Sequence, residues 1–84
     1  MAWKIAWSET AAGAMAKLDQ AAISRLNAKL EQAAQDPLRF FSRLKGQDDF
    51  RLRAGDYRII ALLLHSEKVI FVEKIGHRKN IYKH

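Results

Sequence analysis

The 84-residue sequence predicts an α+β domain of order β-α-α-β-β-β, an antiparallel sheet with a helix pair packed on one face. Three observations carry this reading. The first residues alternate with a period of two, the next thirty show an apolar stripe at helical spacing, and from Phe50 the period returns to two. No internal repeat, low-complexity tract or linker interrupts the chain, so residues 1–84 are read as one domain, near the low end of what a single core stabilises.

Trp3, Ile5 and Trp7 alternate with Ala2, Lys4 and Ala6, the pattern of a strand with one buried face. Ser8, followed by Glu9-Thr10, is a suitable N-cap for a helix running to about Leu18. Gly13 costs that helix up to about 1 kcal/mol relative to alanine, so it must lean on packing. The second helix is predicted over Gln20 to Gln35. Its stripe is Ala22, Leu26, Leu30 and Ala33, with Arg25, Lys29 and Gln32 facing water. Asp36-Pro37 stops it, because proline disfavours helical backbone in the residue before it.

Leu38 to Asp49 reads as a connection in which Phe40, Phe41 and Leu44 tuck inward and the basic groups face out. Phe50 and Leu52 then point one way while Arg51 and Arg53 point the other. Ala54-Gly55-Asp56 is a tight turn. Tyr57 to Leu64 is apolar on nearly both faces after Arg58, as a central strand would be. His65 to Lys68 is a second turn, and Val69 to Ile75 is the last strand.

Charge is one-sided. Residues 1–38 hold four Lys or Arg against four acids, whereas residues 39–84 hold eleven against five, so the whole net charge of +6 lies in the second half. Such a field draws polyanions. The absence of cysteine excludes disulfides, thiol nucleophiles and thiolate metal sites and fits a reducing cytoplasm. The opening residues lack an apolar signal-peptide segment, and the longest apolar run, Ile59 to Leu64, falls far short of the roughly 20 residues a span requires. No membrane association is expected. Glycines are isolated, so no phosphate loop is present. Acids are few and dispersed, so neither a metal nor any other cofactor is expected.

An antiparallel meander brings Arg51, Arg53, Arg58, Lys74 and Arg78 toward one end of the sheet. Gathered cations repel, by about 1 kcal/mol per pair at 4 Å in water, and call for an anion such as a phosphodiester. Lys79 and Lys83 follow in the tail, and Tyr82 is placed to stack on a nucleobase. His77 is expected within the same patch, where an imidazole can accept a proton. His65 and His84 are given no role.

The Gly55-Asp56-Tyr57-Arg58 turn, the ending Gly76-His77-Arg78-Lys79-Asn80-Ile81-Tyr82, and Leu44-Lys45-Gly46 ahead of the second strand resemble the RelE/ParE superfamily of toxins over nearly the whole chain. The resemblance implies a bacterial or archaeal cytoplasmic toxin silenced by an acidic, amphipathic antitoxin segment. It acts either as a metal-free, ribosome-dependent mRNA endoribonuclease or as a DNA gyrase poison. On the first alternative Arg58, Arg78, Tyr82 and His77 are the catalytic set, and Lys45, Arg51, Arg53, Lys74, Lys79 and Lys83 contact RNA. Asp49 departs from the pattern, which has a lysine there. An arginine keeps its proton and is a poor general base, so His77 is the residue left for proton transfer. A further alternative is a nucleic-acid-binding module without chemistry.

Overall fold

Ile5 and Trp7 in the first strand sit beside Ile70 and Val72 in the last, and this pairing sets the architecture. The computed structural model describes residues 2–43 and 49–77. Its elements are β1 (Lys4–Trp7), α1 (Glu9–Ala16), α2 (Gln20–Ala34), α3 (Pro37–Phe40), β2 (Ser42–Arg43), β3 (Phe50–Ala54), β4 (Tyr57–Leu64) and β5 (Val69–His77). The strands form one sheet of order β1-β5-β4-β3-β2. The run β2 to β5 is antiparallel, but β1 lies parallel to β5, so the sheet is mixed. With β4 on one side of β5, only the other edge is open. The helices between β1 and the meander supply the long connection that a parallel pair needs.

The caps explain where the helices begin. The Ser8 hydroxyl accepts from the Ala11 N–H at 3.0 Å and donates to the Glu73 carbonyl at 2.7 Å, joining the start of α1 to β5. α1 stops at Ala16, two residues before Leu18, as the Lys17 and Leu18 N–H groups close onto the Ala14 and Met15 carbonyls. Leu18 still packs against the core. Asp19 caps α2 by accepting from the Ala22 N–H at 2.8 Å. α2 buries Ala22, Leu26, Leu30, Ala33 and Ala34, as its stripe predicts.

Pro37 does more than end α2. It stands at the start of α3, where its missing N–H costs nothing. The connection expected from Leu38 to Asp49 therefore carries a short helix and a two-residue strand. Both are too brief to leave a periodic signature. Phe41 is buried and Phe40 partly so, while Leu44 lies outside the described residues.

The core lies between the helices and one sheet face, where Leu26 and Leu30 meet Phe50, Leu52, Ile59, Ile70 and Val72. β3 and β4 are joined through Gly55 and Asp56, and Gly55 has φ +63°, a conformation glycine adopts without the penalty of a Cβ. β4 and β5 pair in register except between Ile60 and Ala61. There Ile60 faces Lys74 and Ala61 faces Val72, leaving Glu73 as the extra residue of a bulge.

Candidate nucleic-acid interface

Strand alternation sends Phe50, Leu52 and Ala54 into the core and turns Arg51 and Arg53 to the face away from the helices. Register adds the neighbouring strands. Arg53 is opposite Arg58, which is opposite Gly76; Arg51 is opposite Ile60, which is opposite Lys74. Arg51, Arg53, Arg58 and Lys74 thus share one face in two adjacent rows. Arg53 and Lys74 are exposed, whereas Arg58 is only 7% exposed.

Arg58 is the buried member, its cross-strand neighbour is another cation, Arg53, and its hydrogen-bond acceptors are backbone carbonyls. Its guanidinium donates to the carbonyls of Tyr57 at 3.2 Å and Gly55 at 3.4 Å, and no carboxylate among the described residues pairs with it. A buried cation is costly unless paired, and long contacts to two carbonyls meet little of that cost. The remaining donors of its planar fork suit a bidentate phosphate.

The basic surface continues round the edge of β3. A groove of about 510 Å³ between α2 and this edge is lined by Arg25, Lys29, Gln32, Arg53 and Gly55. A second, of about 320 Å³, is lined by Lys29, Phe40, Ser42, Arg51 and Arg53. Lys29 and Arg39 lie 5.5 and 5.7 Å from the Phe40 ring centre, where the ring's negative face holds them. Arg25, Lys29 and Gln32 read in the sequence as a solvated helix face. Their shared helical spacing was the signal, but only the packing of α2 beside β3 makes them part of a groove.

His77 is not in the patch. It faces Tyr57 across the strands, with ring centroids 5.8 Å apart in an edge-to-face contact, and Tyr57 packs against the helix-side core. Lys74 and Arg58 lie on the opposite face. The expectation that His77 stands among the cations is corrected on this ground: alternation along β5 sends its side chain the other way. Lys45, Arg78, Lys79, Tyr82 and Lys83 lie outside the described residues.

Glu73 was not singled out in the sequence. A hydrogen bond with Asp49, partial burial and the repulsion of Asp49's charge raise its pKa from 4.5 to about 7, against the opposing pull of Lys74. No local signal could have found this, because Asp49 belongs to the approach to β3 and Glu73 to a bulge in β5. Among the described residues no group of three or more His, Asp or Glu is gathered as metal ligands, and no helix is long and apolar enough to cross a membrane.

Comparison with known proteins places this arrangement. A chain of the toxin–antitoxin complex RelBE2 from Mycobacterium tuberculosis shares the fold, with a TM-score of 0.82 at 18% identity over 95% of both chains. A chain of the archaeal RelE–RelB complex from Pyrococcus horikoshii gives 0.79 at 25% identity over 95% of this chain and 99% of that one. A chain of the intact E. coli RelBE complex gives 0.77 at 25% identity, over 90% and 96%. No curated protein matches the sequence significantly. The family model of the ParE toxin of type II toxin–antitoxin systems matches residues 5–82. On the family match and the shared fold together, the chain belongs to the RelE/ParE superfamily and is a toxin of a type II toxin–antitoxin system.

Proposed function

We propose that this toxin is a ribosome-dependent mRNA endoribonuclease. The reading is carried by Arg58, a buried guanidinium that pairs with no carboxylate among the described residues, set beside Arg53 and one row from Arg51 and Lys74. The RNA 2′-hydroxyl beside the scissile bond attacks phosphorus, giving a 2′,3′-cyclic phosphate and a 5′-hydroxyl. Arg58 and Arg78 stabilise charge developing on the phosphorane. Removing such a preorganised donor costs about 10²–10³ in rate. Arg51, Arg53 and Lys74 hold the backbone, Lys45, Lys79 and Lys83 extend the contact, and Tyr82 stacks on a base.

A second reading, a DNA gyrase poison, is favoured by the ParE family model itself. Inducing the chain alone separates the two. The first predicts cleaved mRNA with intact DNA, and the second predicts gyrase-linked DNA breaks with intact mRNA. Folded Arg58→Ala that still kills fully would remove the site assignment.

The partner follows from the charge. The relatives are seen in complexes with antitoxins, and a basic face is silenced most simply by an acidic, amphipathic segment laid over it. Co-purification with the product of the adjacent reading frame tests this, and no complex would count against it.

A further inference from the structure

We infer that Glu73, paired with Asp49 across β4, is the group that takes the proton from the attacking 2′-hydroxyl. This rests on the endoribonuclease reading and supplies what that reading lacks. Among the described residues of the patch, arginine side chains are poor general bases, Lys74 is assigned to the RNA backbone, and His77 is on the other face. A base must come from elsewhere.

The placement is geometric. The bulge inserts Glu73 between the row of Ala61 and Val72 and the row of Ile60 and Lys74. Bulges re-aim side chains, and they gather beside active sites. At this level the helix side is filled by Phe50, Ala61 and Val72, all buried. Two side chains that meet across β4 must therefore do so on the opposite face, the one carrying the cations. Lys74 follows Glu73 directly, and Arg51 follows Asp49 by two residues. At about 3.4 Å per residue, a phosphodiester held by Arg51 and Lys74 has its ribose within side-chain reach of the pair.

The bland alternative is a pair of acids that merely neutralises the cations. Acids with that role would both be ionised and would turn toward separate cations. These two hydrogen-bond to each other, and Glu73 titrates near neutrality, at about 7. Among the described residues, the charges acting on Glu73 are Asp49 from the β3 side and Lys74 on its own strand. β4 between them presents Ile60, Ala61 and Leu62, β1 presents Trp7 beside Val72, and the start of α1 contributes only the Ser8 hydroxyl, bonded to the Glu73 carbonyl.

The step balances without a further reactant. The Glu73 carboxylate accepts the 2′-hydroxyl proton, and the freed electron pair forms the new oxygen–phosphorus bond. The bond from phosphorus to the 5′-oxygen breaks, and that oxygen takes a proton from water. Glu73 then returns its proton to solvent.

Single-turnover cleavage of ribosome-bound mRNA from pH 5.5 to 9 tests the assignment. Wild type should rise about tenfold per pH unit below about 7 and level off above it. Glu73→Gln should lose 10²–10⁴-fold and the rising limb with it. Asp49→Asn weakens the hydrogen bond and removes the charge that raise Glu73, so its limb should move to lower pH. Circular dichroism of each variant checks folding, and Asp49→Asn reports on the assignment even if Glu73→Gln does not fold. Should Glu73→Gln cleave at the wild-type rate with the same limb, or Asp49→Asn leave the limb in place, the assignment is overturned. Wild type that cleaves no mRNA at any pH would overturn the endoribonuclease reading, and this inference with it.

Discussion

Arg53 on β3 and Arg58 on β4 stand directly opposite each other, two residues' width from the turn at Gly55, the first exposed and the second buried. Like charges facing each other on one sheet face are destabilising by some tenths of a kcal/mol to about 1. Arg53→Gln should therefore keep or raise stability by up to about 1 kcal/mol in urea unfolding, while RNA binding weakens and its salt dependence flattens. Lower stability in the variant would make Arg53 a structural partner instead.

Ser8 makes two bonds with one hydroxyl, to the Ala11 N–H and the Glu73 carbonyl. Losing the cap alone costs about 1 kcal/mol, and stripping a donor from a part-buried carbonyl adds to it. Ser8→Ala should lower unfolding free energy by about 1–2 kcal/mol. Ser8→Thr, which keeps the hydroxyl, should recover most of it.

The turn at Gly55 requires φ +63°. An added Cβ would find the Arg25 guanidinium nitrogen at 3.4 Å, an ordinary contact, so the penalty is conformational and not steric crowding. Gly55→Ala should cost about 1–2 kcal/mol, and Gly55→Asn less, since asparagine tolerates left-handed backbone. Equal melting temperatures for glycine and alanine would contradict the assigned turn.

Glu73 also links pH to stability. Its folded pKa of about 7 lies above the ordinary 4.5, so the native state binds the proton more tightly than the unfolded chain does. The stabilisation is full below the unfolded pKa and is lost as pH climbs through about 7. Glu73→Gln, which cannot ionise, should show a flatter melting temperature between pH 5 and 8 and a higher one than wild type at pH 8. A parallel decline in both proteins would exclude Glu73 as its source.

The sequence by itself determined whatever depends on near neighbours. Alternation at Trp3, Ile5 and Trp7 marked β1, Ser8 marked the start of α1, and Leu26 with Leu30 marked the buried face of α2. The same local rule put Arg51 and Arg53 on one face, whereas His77, expected among the cations, is placed on the other face from Lys74 only by the pairing of β5 with β4.

Tertiary structure decided what joins residues remote in the chain: the parallel pairing of β1 with β5, the groove between α2 and β3, the burial of Arg58, and the meeting of Asp49 with Glu73. Helix and strand periods follow from backbone geometry repeated over a few residues. A strand's partner, or a carboxyl group's proton, is set by whichever side chains the finished fold brings within a few ångströms, and no short window of sequence contains them.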